Sequence, residues 1–202
     1  RSKKKLEIQI PKNLNLNEII GFSIKKNIPH LMLSIDQSIT SPILNLAKSE
    51  LLLSLAKSYL SSDKVILRSH CYISNPISVD ETTQKNNAQF YHYDCDYKKF
   101  LKVFVYLTDV NENSGPHLFI PYTHKKKKMI HISAERLNDE IIKKHYPDLN
   151  TYKFLGKKGK IIFEDTFGFH KGELPKKQSR AMLILEFGIP PRIQYDGNEI
   201  IV

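Results

Sequence analysis

Residues 89–110, QFYHYDCDYKKFLKVFVYLTDV, set an imidazole and a carboxylate two positions apart, just ahead of one of the most strand-like runs in the chain. On an extended backbone, with its period of two, His92, Asp94 and Asp96 project to one face and Tyr91, Tyr93 and Cys95 to the other. One ion can be ligated by a His and an Asp so placed. Taken alone, the H-x-D triplet is also what chance produces, and a structural histidine with a capping aspartate accounts for it equally.

The texture on either side is that of short strands. KVILRSHCYI (64–73), HLFIPYT (117–123), KIIFEDTF (160–167) and AMLILEFGI (181–189) are β-rich runs. NPISVDETTQKNN (75–87), NENSGP (111–116) and GELPKKQS (172–179) separate them and are dense in turn formers. One helix interrupts, SAERLNDEIIKKHY (133–146), with Leu137, Ile141 and Ile142 on one side.

The first sixty residues read as helical. NLNEIIGFSIKKN (15–27) predicts a short amphipathic helix, and SPILNLAKSELLLSLAKSYLSS (41–62) a longer one, capped by Ser41 with Pro42 in its first turn. Leu44, Ala47, Leu51, Leu55 and Ala56 form its expected apolar stripe. Many short strands behind a helical N-terminus predict a mainly β, α+β architecture, a jelly roll or sandwich with helices packed outside.

The 202 residues predict a single domain, with a helical part at 1–63, a β core at 64–190 and a tail at 191–202. No apolar run approaches the ~18 residues of a membrane span. The start RSKKKLEIQI does not read as an intact signal peptide, and Cys71 and Cys95 are too few for a disulfide framework. The expectation is a cytoplasmic protein with both thiols reduced and buried. The net charge of +10 comes from scattered lysines without an arginine-rich helix, which predicts a solvated surface and no nucleic-acid partner.

The segment GKIIFEDTFGFHKGELPKKQSRAMLILEF (159–187) adds His170 in a short loop after a strand, and Arg180 at the start of the next. Two His and one carboxylate on one face of an ion leave its other positions open, as in non-haem iron oxygenases. An Arg nearby offers a fork of donors for a carboxylate.

Together, H-x-D, KVFVYLTDVNENSGPHLFIPYTHK, FEDTFGFHKG and Arg180 resemble the phytanoyl-CoA dioxygenase family of Fe(II)- and 2-oxoglutarate-dependent oxygenases, over roughly residues 65–190. The resemblance implies a cupin-like double-stranded β-helix. It implies that His92, Asp94 and His170 bind iron and that Arg180 pairs with the distal carboxylate of 2-oxoglutarate. It implies hydroxylation of an unactivated C–H of a small molecule by O2, with release of succinate and CO2.

Two departures stand out: Tyr122-Thr123 where the family often has Gly-Ser, and Gly172 where it often has a hydroxyl residue. Tyr72, Asn75, Tyr106 and Thr166 are candidate replacements for a lost hydrogen bond to 2-oxoglutarate, Asn75 because several members carry a Lys there. Nucleic-acid demethylases of the superfamily have a second Arg six residues after the first, where Glu186 stands here. A non-catalytic jelly-roll binding protein would be favoured by a missing ligand, and none is missing. Halogenases of the superfamily replace the carboxylate ligand, which Asp94 retains.

Other polar residues receive surface roles. His117, His124 and His131 are expected to face solvent, Lys125–Lys128 to keep a loop soluble, and Asp96 to be solvated or to meet a cationic substrate group. Substrate choice is assigned to the N-terminal helices and to the loops at 74–89 and 122–155.

Overall fold

A computed structural model describes residues 14–34, 42–128, 136–148, 150–190 and 200–202. The expectations for the N-terminal lysines, the Ser41 cap, His131 and most of the tail lie outside the described residues. In chain order the elements are α1 (Leu16–Lys25), β1 (His30–Ser34), α2 (Pro42–Ala47), α3 (Glu50–Leu60), β2 (Ile66–Ser74), α4 (Glu81–Asn86), β3 (Phe100–Tyr106), β4 (His117–Phe119), α5 (Asp139–His145), β5 (Tyr152–Phe154), β6 (Ile161–Glu164), β7 (His170–Gly172), β8 (Arg180–Gly188) and β9 (Ile200–Ile201).

Two antiparallel sheets face one another in a jelly-roll arrangement. The larger runs β1-β2-β8-β3-β6, with β9 also pairing to β2, and the smaller runs β5-β4-β7. Strands β3 and β8 are buried along their whole length. Their unbroken apolar runs follow from this, because both faces of the central strands are covered. On the outer face Leu101, Val103, Leu183, Leu185 and Phe187 pack against Leu44, Leu52, Ala56 and Leu60 of α2 and α3. The inner face carries Phe104, Met182 and Ile184 toward the small sheet. On the far side of the small sheet, Leu118, Ile120 and Phe169 pack with Ile142 of α5 and with Tyr146, the residue that caps its C-terminus.

The register sets polar groups on the inner face. Arg68, Glu186, Lys102 and Glu164 are successive cross-strand partners from β2 through β8 and β3 to β6, a row of alternating charge. Ser74 pairs with Arg180 at the other end of β8.

The N-terminal region departs from its expected form. His30–Ser34 is a strand, and the long predicted helix is two, because Ser49 is extended (ψ 142°) and restarts the helix. The break shifts the helical phase: Leu52 is 2% exposed, while the expected stripe members Leu51 and Leu55 are 65% and 42% exposed. Asp80 accepts a hydrogen bond from the Thr83 N–H and caps α4 inside a segment expected to be a loop. Residues 89–94 form isolated bridges, not a strand. Cys71 is buried as expected, but Cys95 is exposed on that irregular segment. No helix among the described residues is long and apolar enough to cross a membrane.

Candidate active site

His92 reaches the small sheet through a bridge to His170, in which each backbone N–H donates to the other's carbonyl (3.0 and 2.9 Å). The pairing sets the two rings with centroids 4.3 Å apart. The Asp94 N–H donates to the Thr166 carbonyl (2.8 Å), turning the chain so that the Asp94 carboxylate meets both rings. Its oxygens lie 3.8 Å from His92 Nε2 and 3.4 Å from His170 Nε2. One ligand atom from each of the three residues falls within 4.8 Å of the others.

The tautomers are set locally. Nδ1 of His92 donates to the Phe90 carbonyl and Nδ1 of His170 to the Gly168 carbonyl, each at 3.0 Å. Both Nε2 atoms are therefore left with a lone pair for an ion. Burial pushes His92 down to about 3, with the neighbouring His170 adding to the effect, so its ring is neutral at pH 7. Burial acts the same way on His170, but Asp94 and Glu164 outweigh it and raise its pKa. Two imidazole Nε2 atoms and one carboxylate oxygen, open on the cavity side, suit Fe(II), whose binding would displace any proton from His170.

Lys102, read in the sequence only as part of an apolar strand, supports the carboxylate. Its ammonium lies 2.8 Å from Asp94 and 3.0 Å from Asp96. Burial opposes ionisation of Asp94, yet Lys102 overcomes it and holds the carboxyl well below the usual range. Asp96 thus meets an internal cation rather than solvent or substrate. Beneath the rings, His117 is buried and its Nε2 donates to Glu164 (2.9 Å), which corrects the expectation of a solvent-facing histidine. His124 is half-buried. Lys127, expected in a solvated loop, lies over the Phe167 ring at 3.7 Å.

The cavity in front of the triad has a volume of about 330 Å3. Arg180 lines it from β8, fully buried, its Nη1 donating to the Gly115 carbonyl. Gly172 stands beside the guanidinium: a Cβ there would lie 2.6 Å from Arg180 Nη2. The close approach explains the absence of a hydroxyl residue at this position. Tyr72 lines the cavity, stacked on His30 at 4.8 Å.

Asn75 does not serve as expected. It is fully buried behind the wall, its Nδ2 donating to Ser23 Oγ (2.8 Å) and the Ile28 carbonyl (2.7 Å) while Oδ1 accepts from Ser179 (2.7 Å). Both amide hydrogens and the carbonyl oxygen go into tying the end of α1 and the turn after it to the start of β8. The Tyr106 hydroxyl likewise donates to the Phe154 carbonyl (2.7 Å). The Thr166 side chain is fully buried and does not line the cavity, so its contribution is the carbonyl that turns Asp94.

Comparison with known proteins agrees with this fold. AviO1 from Streptomyces viridochromogenes Tue57 superposes with a TM-score of 0.55 at 13% identity, covering 89% of this chain and 84% of its own. HygX from Streptomyces hygroscopicus, solved with iron bound, gives 0.55 at 17% identity over 89% and 80%. SnoN, a non-haem α-ketoglutarate-dependent epimerase from nogalamycin biosynthesis, gives 0.56 at 13% over 88% and 76%. No curated protein matches the chain by sequence. Residues 30–173, which include His92, Asp94 and His170 but end before β8 and Arg180, match the phytanoyl-CoA dioxygenase family, and the chain belongs to that family of iron- and 2-oxoglutarate-dependent enzymes.

Proposed function

We propose that this protein hydroxylates an unactivated C–H bond of a small molecule, consuming O2 and 2-oxoglutarate and releasing succinate and CO2. His92 and His170 hold Fe(II) through Nε2, and Asp94 holds it through a carboxylate oxygen. Arg180 pairs with the distal carboxylate of 2-oxoglutarate. When bound, the iron and 2-oxoglutarate supply the O2 activation that no side chain can provide.

The chain's own task is placement and exclusion. Carbonyl bonds to the two Nδ1 atoms lock the rings, and Lys102 fixes the second oxygen of Asp94. Phe104, Met182 and Ile184 line the cavity with apolar surface that keeps bulk water from the reacting centre. The volume of about 330 Å3 is at the small end of ligand sites, which supports a compact substrate rather than a polymer.

The observation that carries this reading is the convergence of three ligand atoms at the edge of a cavity that also holds a buried guanidinium. Calorimetry of 2-oxoglutarate binding to anaerobic protein loaded with Mn(II), a redox-silent stand-in, tests it. Metal-dependent binding in the wild type, lost in His170→Ala and in Arg180→Ala, is expected. Absence of binding in the wild type would leave a jelly roll without this activity. Hydroxylation itself is checked by mass analysis of the product, since SnoN is named an epimerase and SnoK, another structural neighbour, a carbocyclase.

A further inference from the structure

The cavity wall holds polar groups for which the metal and cosubstrate roles provide no use. Nδ1 of His70, both amide atoms of Gln89 and Nη1 of Arg136 are buried without a hydrogen-bond partner among the described residues, and all three residues line the cavity. A buried polar atom left unpaired carries the full cost of its desolvation, so such groups mark where a ligand completes the bonding.

Arg136 stands next to the metal centre. The Tyr91–Leu137 bridge, with N–H to carbonyl bonds of 2.8 and 2.7 Å, brings the Arg136 backbone alongside His92 in antiparallel register. Arg136 interacts electrostatically with His92, His30, Asp94 and Tyr72, which line the same cavity. The other cations of the cavity are engaged: Lys102 by Asp94 and Asp96, and Arg180 by the Gly115 carbonyl and, on the oxygenase reading, the cosubstrate.

Gln89 belongs to the same cavity wall. It follows Ala88, whose φ of 59° is left-handed, on a segment without regular strand structure, and it lines the cavity as a buried residue. A neutral amide in the same cavity as a guanidinium with an unpaired Nη1 can donate to an anion's oxygen and accept from a neighbouring hydroxyl. His70, kept neutral by burial, offers one further donor or acceptor.

We propose that the substrate is a small molecule bearing an oxyanion, a carboxylate or a phosphate, that is seated on Arg136 with the Gln89 amide, separately from Arg180. This assignment rests on the oxygenase reading for the word substrate, while the anion site itself stands on the unpaired groups.

The test uses matched probes: phenylacetate against phenylacetamide, hexanoate against hexanamide, and glycerol phosphate against glycerol. Each is titrated by calorimetry into the full chain loaded with Mn(II) and 2-oxoglutarate, and again without either. At least one anion is expected to bind about tenfold or more tightly than its neutral counterpart, the scale of a charge-assisted hydrogen bond. Arg136→Met should erase that preference, Arg136→Lys should keep part of it, and Gln89→Glu should reverse it by repulsion. The stronger arm, carboxylate or phosphate, identifies the group.

Equal binding of neutral and charged probes, no anion binding at all, or an unchanged preference in Arg136→Met would overturn the proposal. So would loss of 2-oxoglutarate binding in Arg136→Met, because Arg136 would then belong to the cosubstrate. If 2-oxoglutarate fails to bind the wild type while the anion preference persists, the oxygenase reading falls and the anion site stands.

Discussion

The ammonium of Lys102 and the carboxylate of Asp94 lie 2.8 Å apart, and this contact joins the metal-facing carboxylate to the charge row that crosses the large sheet. Removing the ammonium by Lys102→Met takes away the shared cation of Asp94 and Asp96 and leaves Glu186, whose side chain is fully buried, with Arg68 at 3.7 Å as its remaining cross-strand cation. Mn(II) affinity should fall about 10–100-fold, as when an outer partner of a metal ligand is lost. Thermal unfolding of the metal-free protein should show a loss of about 3–5 kcal/mol, because Asp94 and Asp96 are left side by side without their cation. Unchanged metal affinity would separate Lys102 from the site.

Gly172 gives a second, sharper test of the pocket. Because an added Cβ would stand 2.6 Å from Arg180 Nη2, Gly172→Ser forces the guanidinium aside while leaving the triad untouched. Loss of one charge-assisted contact predicts about a 10–100-fold weaker affinity for 2-oxoglutarate with metal binding retained. Calorimetry with Mn(II) measures both, and full-strength cosubstrate binding in this variant would place the distal carboxylate elsewhere.

The helix phase can be read by stability. Leu52 packs against the large sheet and Leu51 projects into solvent. Leu52→Ala should cost about 2–5 kcal/mol and Leu51→Ala less than about 0.5 kcal/mol in denaturant unfolding. Comparable costs would restore the single continuous helix that the spacing of Leu44, Ala47, Leu51 and Leu55 suggests.

What the sequence made legible was local. His92 and Asp94 declare themselves by spacing, and His170 and Arg180 flank a turn that ends one strand and opens another. The jelly roll follows from short strands with turn formers between them. Contacts between distant strands were not legible: His117 with Glu164, 47 residues apart, depends on register, and a lone His beside a Lys run carries no trace of it. Lys102 was hidden because a strand buried on both faces has no alternation to mark one inward charge. Arg136 fell inside a helical pattern, SAERLNDEIIKKHY, whose helix starts only after the Asn138 cap.

The cavity also predicts an acid limb in stability. Burial pushes His30 down to about 4 and His70 down to about 3, against an ordinary value of 6.5. Below pH 6.5 the unfolded chain takes up protons that the folded chain refuses. Stability is therefore fully present above pH 6.5 and falls as the pH drops toward 4 for His30 and 3 for His70. His70→Phe keeps a ring of similar shape and removes one of the two groups. The difference between wild type and variant, followed by thermal unfolding of metal-free protein, should change by on the order of 3 kcal/mol between pH 7 and pH 4. His92 titrates in the same window but is common to both proteins, so it cancels in the difference. Parallel curves would mean that His70 gains a proton in the folded state as readily as in the unfolded one, and that the cavity wall around it is wetter than its burial implies.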